Sequence, residues 1–175
     1  MRHGFAAALV GVALIAHVPD VRAQPDRQTC SAASATLPPE LARWSSRRPI
    51  AAAGKASDVR AATLEIGGAA DATLRSTGDV RYVTPPERPG GSESHGGLFT
   101  FSVDRAGTYR VALGAGAWID VVQDRTPITS SAHGHGPECS GIRKMVDFPL
   151  TPGRYLLQIA GSQQATLPLM IVRLP

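Results

Sequence analysis

The stretch Leu98-Phe-Thr-Phe-Ser-Val-Asp-Arg-Ala-Gly-Thr-Tyr-Arg-Val-Ala-Leu113 decides the fold class. Phe99, Phe101 and Val103 alternate with Thr100 and Ser102. A polar turn follows, Gly107 permits a positive φ there, and Tyr109, Val111 and Leu113 resume the alternation. Strict period two over a few residues marks a strand with one buried face. The same pattern recurs outward on both sides. Residues 117–122 read AWIDVV, and 144–150 present Val146, Phe148 and Leu150. Residues 154–159 present Tyr155, Leu157 and Ile159, and 165–174 present Leu167, Leu169 and Ile171. Upstream, 61–66 present Leu64 and Ile66, and 80–84 present Val80, Tyr82 and Thr84. A helical period is never held beyond about six residues. Short strands punctuated by Gly and Pro predict an all-β fold, a single antiparallel two-sheet β-sandwich of about eight or nine strands.

Composition agrees. Hydrophobic residues make up 43% of the 175 and aromatics only 5%, so the core is expected to be aliphatic. Eighteen Gly and fourteen Pro are too many for a helical bundle or a long coiled coil, and they suit a turn-rich β protein. The length allows one domain plus a targeting segment.

Residues 1–23 read as a secretory signal peptide: basic Arg2 and His3, the apolar run FAAALVGVALIA from Phe5 to Ala16, and a small-residue cleavage site at Val21-Arg22-Ala23. That run is too short to serve as a comfortable membrane span. Periplasmic or secreted location is expected, with no membrane span after cleavage. Residues 24–57 are read as an irregular N-terminal arm that docks through Leu37, Leu41 and Trp44, and 58–175 as the β-sandwich domain. Two polar loops are expected, at 85–97 and 131–142. Signal cleavage takes the chain from 18 basic and 14 acidic side chains to 16 and 13, a mild excess. Arg47-Arg48 and Arg143-Lys144 are its only adjacent basic pairs, which argues against nucleic acid as a partner. The expected partner is a small ligand or an envelope protein.

Cys30 and Cys139 are an even count in an oxidising compartment, so a disulfide between them is the default; a metal-binding or reactive thiol is the alternative. An internal echo links Phe101-Ser-Val-Asp-Arg-Ala-Gly-Thr-Tyr109 with Phe148-Pro-Leu-Thr-Pro-Gly-Arg-Tyr155. It reads as two similar hairpins within one sandwich.

The sharpest chemical signal is His133-Gly-His135. In an extended segment residues i and i+2 point to one side, so two imidazoles can approach one ion. Candidate further ligands are His95, Glu138, Cys139 and Asp120. Three protein ligands with an open position suit zinc, two His and a carboxylate suit non-haem iron, and a His pair in an exported protein suits copper. The competing reading is a Gly-rich surface loop whose histidines bond to backbone while Cys139 is bridged to Cys30. A Cys139 nucleophile with His133 or His135 as base needs a free thiol. Ser131, Ser140 and Asp120 supply the residue types of a triad, without a G-x-S-x-G elbow. Arg143 and Lys144 read either as an anion-binding pair or as a solvated strand start. Trp118 beside Asp120 reads either as a sugar-stacking platform or as half-buried packing.

The pattern from Phe99 to Leu113 (F-x-F-x-V-x-x-A-G-T-Y-R-V-x-L) resembles the strand pair of pre-peptidase C-terminal type β-sandwich domains, modules of secreted bacterial proteins. That resemblance spans about residues 95–125. The runs AWIDVV and HGHGPECSGIRKMVDFPLTPGRY are similar to a group of small exported bacterial proteins often labelled homogentisate 1,2-dioxygenase, over roughly residues 97–175. The label implies ring cleavage at a non-haem Fe(II) held by two His and a Glu. The favoured reading is a non-catalytic binding or accessory domain that needs no cofactor. The alternative is a metal-dependent enzyme using Fe, Zn or Cu at the His133/His135 loop.

Overall fold

In a computed structural model of the chain, residue 30 and residues 36–175 are described. The expected signal peptide at 1–23 lies outside the described residues. Among the described residues eleven strands form two sheets: β1 (Arg47–Ala51), β2 (Ala69–Thr73), β3 (Arg75–Ser76), β4 (His95–Val103), β5 (Gly107–Leu113), β6 (Trp118–Gln123), β7 (Thr126–Pro127), β8 (Ala132–Gly134), β9 (Lys144–Leu150), β10 (Gly153–Ser162) and β11 (Thr166–Arg173). The first sheet has the order β1-β2-β11-β5-β9-β8, the second β3-β4-β10-β6-β7. Apart from the parallel β1–β2 pair, strand neighbours run antiparallel. The all-β two-sheet sandwich is therefore present.

The alternating residues meet between the sheets. Phe99, Phe101, Tyr155, Leu157 and Ile159 from the second sheet bury against Val111, Leu113, Phe148, Leu169 and Ile171 from the first. The Phe101 and Tyr155 rings stack with centroids 5.6 Å apart, an arrangement worth about 1 kcal/mol beyond the area it buries.

The two echoed motifs are not hairpins. β4 and β10 pair in one sheet, while β5 and β9 pair in the other. Each connection, β4 to β5 and β9 to β10, therefore arches across the core. The arches are reciprocal: Gly107 faces Leu150, and Gly153 faces Val103. In each arch the tyrosine after the glycine donates its hydroxyl to a backbone carbonyl four residues upstream. Tyr109 reaches Arg105 at 2.8 Å and Tyr155 reaches Thr151 at 2.9 Å. These bonds pin the corners where the chain changes sheet, as tyrosine corners do in other sandwiches.

The structure corrects other expectations. Residues 61–66 do not form a strand. A 3-10 turn covers Ala56–Ala62, and Thr63 makes a single parallel bridge to Thr100. Residues 80–84 are irregular, because the Val83 and Thr84 amides bond to a side chain, that of Gln158, rather than to a strand. The arm is not irregular throughout, since Arg47–Ala51 pairs with β2. β2 itself, sequence AADAT, escapes a propensity reading because alanine and aspartate are poor strand formers.

Both sheets carry a cover on the outer face. Leu41 and Trp44 of the arm, 0% and 4% exposed, pack on Ala69, Ala112, Met170 and Val172 of the first sheet. Leu37 joins them, so the expected docking residues do dock. Over the second sheet lies the segment 80–94. Its seat depends on two glycines. A side chain at Gly96 would collide with the Tyr82 hydroxyl and the Ile159 carbonyl. Gly161, at φ 67°, sits in a bulge of β10 that brings Arg88 and Gly90 close.

Candidate functional site

The residues of the loop 131–142 disperse, as do Arg143 and Lys144 that follow it. Ala132–Gly134 becomes the edge strand β8, leaving His133 exposed opposite Val146. The His135 Nδ1 lies 2.8 Å from the Arg143 carbonyl. A carbonyl only accepts, so Nδ1 carries the proton in that bond. Cys139 is bonded to Cys30, with Cα atoms 5.0 Å apart across 109 residues of chain. Glu138 is exposed beside this bridge, in an open cavity of about 640 Å³ shared with His135 and Arg143. His95 starts β4, half-buried, with an Nδ1 that has no partner among the described residues. Among the described residues no three His, Cys, Asp or Glu side chains gather as a metal site. Among the described residues His133, His135, His95 and Glu138 do not gather into the two-His, one-Glu set that the dioxygenase label implies.

Arg143 and Lys144, adjacent in sequence, serve different neighbourhoods. Arg143 stays exposed beside His135. Lys144 crosses the end of the sandwich, where its Nζ donates to the Ala117 carbonyl at 2.7 Å and lies 5.5 Å from the Trp118 ring centre. Arg88 lies 5.9 Å from the same ring. Trp118 is thus half-buried between side-chain neighbours that include two cations. Its indole N–H donates to Asp120 Oδ1 at 2.9 Å, while Asp120 Oδ2 is buried without a partner among the described residues. Burial pushes the Asp120 carboxyl above its ordinary pKa, against the pull of the Trp118 indole. Burial, and then the Asp120 charge, push Tyr82 up to about 12. Lys144 is lowered, first by burial and then by Arg88.

The site that sequence reasoning missed lies on the outer face of the second sheet. Gln158, fully buried, points outward from β10 and clips the covering segment down. Its Oε1 accepts from the Val83 and Thr84 amides at 2.7 and 3.3 Å. Its Nε2 donates to the Thr84 carbonyl and hydroxyl at 3.1 and 3.2 Å. All the amide's hydrogens and its oxygen are thereby used.

One cross-strand row below Gln158, the cover stops and a groove opens. Its floor is Thr100, Leu156 and Val122, which face one another on β4, β10 and β6. Three strands in a row span about 10 Å. Val59 of the 3-10 turn forms one wall, Tyr82 and Val83 the other. Lys55, Arg81, Arg125 and Arg154 ring the groove, with Asp124 the one acid, around a volume of about 700 Å³. An adjoining depression of about 610 Å³ shares Val59, Thr100 and Arg154 and adds Arg60 and Ser102.

The cations there are available. Lys55 meets Asp58 at 3.8 Å, but both are exposed, so the pair is weak. Among the described residues Arg60, Arg81, Arg125 and Arg154 have no ion-pair partner. Asp124 and Arg125 form the tight turn between β6 and β7, at φ 47° and 64°. Positive φ at both central residues matches a hairpin's twist, yet it is uncommon for arginine. The groove's residues come from five separated parts of the chain, which is why spacing alone does not reveal them. One signal was available: Leu156 and Val122 fall on alternation positions that a solvated face would fill with polar residues.

No family model matches the chain. No curated protein matches it in sequence. Among solved structures it is similar to the pre-peptidase C-terminal domain of a collagenase from Bacillus anthracis, at 17% identity and a TM-score of 0.33, over 47% of this chain and 81% of that one.

Proposed function

We propose that this chain is a non-catalytic binding module of an exported protein, and that it binds through the groove on its second sheet. The observation that carries this reading is the groove itself: a largely aliphatic floor ringed by cations, of which Arg81, Arg125 and Arg154 lack carboxylate partners among the described residues. Ligand sites combine an apolar concavity with a few polar groups that fix orientation, and this groove has both. The unpaired guanidinium groups favour anions, in a field that low ionic strength strengthens. The Cys30–Cys139 bridge is compatible with an oxidising compartment.

A thermal-shift screen of anionic compounds tests this reading. It compares the wild type with an Arg125→Glu/Arg154→Glu variant in dilute buffer. A ligand of the groove stabilises the wild type by several degrees, through mass action on the folded state, and leaves the variant unmoved. Anions that shift both proteins equally, or neither, contradict the reading.

A further inference from the structure

We infer that the groove takes an extended acidic peptide segment carrying an aliphatic side chain among its carboxylates. This inference rests on the binding-module reading and specifies its partner. The groove offers few free polar groups on its floor and wall. The Thr100 hydroxyl on the floor is already donated to the Tyr155 carbonyl at 3.0 Å. The Tyr82 hydroxyl on the wall is donated to the Ile159 carbonyl at 3.1 Å. Leu156 and Val122 complete the floor without polar atoms in their side chains. A sugar would leave its hydroxyl groups short of partners there, a loss that desolvated polar groups feel strongly.

The charge is arranged in the same sense. Lys55, Arg81, Arg125 and Arg154 line the groove, and Arg60 lines the adjoining depression. They are exposed, and each of the five comes from a different position along the chain rather than from one cluster in sequence. A compact anion such as phosphate would engage one or two and leave the floor empty. An extended peptide rises about 3.3 Å per residue, so side chains two apart fall about 6.6 Å apart on one edge. Carboxylates at that spacing reach successive rim cations, and an aliphatic residue between them covers Leu156 and Val122. Charge complementarity then supplies register and encounter rate, while the apolar contact supplies residence.

The test is a fluorescence-anisotropy titration of the intact, disulfide-bonded protein with a short labelled peptide that alternates Glu and Thr around one central Leu. Three further probes accompany it: the same peptide with Ser for Leu, oligogalacturonate, and inorganic polyphosphate. The Arg125→Glu/Arg154→Glu variant is titrated in parallel, with circular dichroism and thermal melting to show that it is folded. Both positions are exposed, so the fold is expected to survive. The inference predicts that the Leu peptide binds, and that the variant weakens it roughly tenfold or more, with a steep salt dependence. It also predicts that Leu to Ser in the peptide costs about tenfold. Variant-sensitive binding of oligogalacturonate or polyphosphate without the peptide overturns the inference and leaves the binding-module reading standing. Peptide binding that ignores the variant, or the Leu, also overturns the inference. No variant-sensitive binding of any probe overturns both.

Discussion

The two sheets each carry a cover, and the two covers are built on different physics. Over the first sheet, Leu41 and Trp44 bury against Met170, Val172 and Ala112, and Ile142 from the disulfide loop closes the cluster. Ion pairs flank the seal: Arg110 grips Asp147 with bonds of 2.7 and 2.8 Å, and Arg47 meets Asp71 at 2.8 Å. Over the second sheet the cover is a largely polar segment held by hydrogen bonds, those of Gln158 and that of the Tyr82 hydroxyl to the Ile159 carbonyl, and it reaches only part of the face. An apolar seal leaves nothing to bind. A hydrogen-bonded frame leaves an opening whose width is set by where the hydrogen bonds stop, here one row past Gln158. The same fold thus devotes one face to stability and keeps the other for contact.

The largest effects should come from breaking the seal. Removing both cysteines, Cys30→Ser with Cys139→Ser, releases a loop of 109 residues and is expected to cost about 4 kcal/mol of stability in the chain-entropy account. Trp44→Ala empties a buried site and should cost about 3–5 kcal/mol. Both are read by denaturant unfolding, and both should leave groove binding intact in the fraction that remains folded. Coincident loss of stability and binding in folded protein would erase the distinction between the faces.

Gln158→Leu attacks the frame. It strips partners from the Val83 and Thr84 amides and the Thr84 carbonyl, at an expected cost of about 2 kcal/mol. The more specific readout is Tyr82. Its phenol is pushed up to about 12 while the frame holds, and an exposed tyrosine titrates near about 10. A raised pKa favours the neutral phenol in the folded state. Tyr82 therefore contributes stability below pH about 10 that is lost as pH rises toward about 12. In Gln158→Leu that alkaline window should close, as followed by phenolate absorbance. An unchanged window would mean that the cover stays down without its clip.

Asp120→Asn should have a smaller effect of opposite sign. The carboxyl is raised mainly by burial, so its ionised form is the disfavoured one in the folded protein. Asparagine keeps an acceptor for the Trp118 indole and removes the charge. The variant should melt higher at neutral pH, with the gain vanishing in acid where the wild-type carboxyl is already protonated. A lower melting temperature at pH 7 would count against burial as the dominant cause. The smallest effect is expected from His133→Ala/His135→Ala. Both side chains are exposed, and stability should change by no more than about 0.5 kcal/mol.

The sequence made the strands that alternate cleanly legible. β4, β5, β6, β9, β10 and β11 can all be read from residues such as Phe99, Tyr109, Phe148 and Leu157. The arm's docking residues and the disulfide pair could be read as well. β2 could not, because Ala70 and Ala72 sit in the core as small side chains that carry no strand signal of their own. The corners could not be told from hairpins, because alternation says which face is buried and not which sheet a strand joins. The groove was illegible for a related reason. Arg81, Arg125 and Arg154 are each unremarkable in isolation, and only the pairing of Thr100, Leu156 and Val122 across three strands brings them around one floor.

The face that makes contact should be that of the second sheet. Two-dimensional NMR of the isotope-labelled protein, titrated with the Glu/Thr peptide bearing a central Leu, tests that most directly. The predicted result is shifts concentrated at the amides of Thr100, Val122, Asp124, Arg125 and Leu156, with the amides of Trp44, Ala112 and Met170 unmoved. Shifts centred on residues 133–143, or on the Trp44 cluster, would contradict the account.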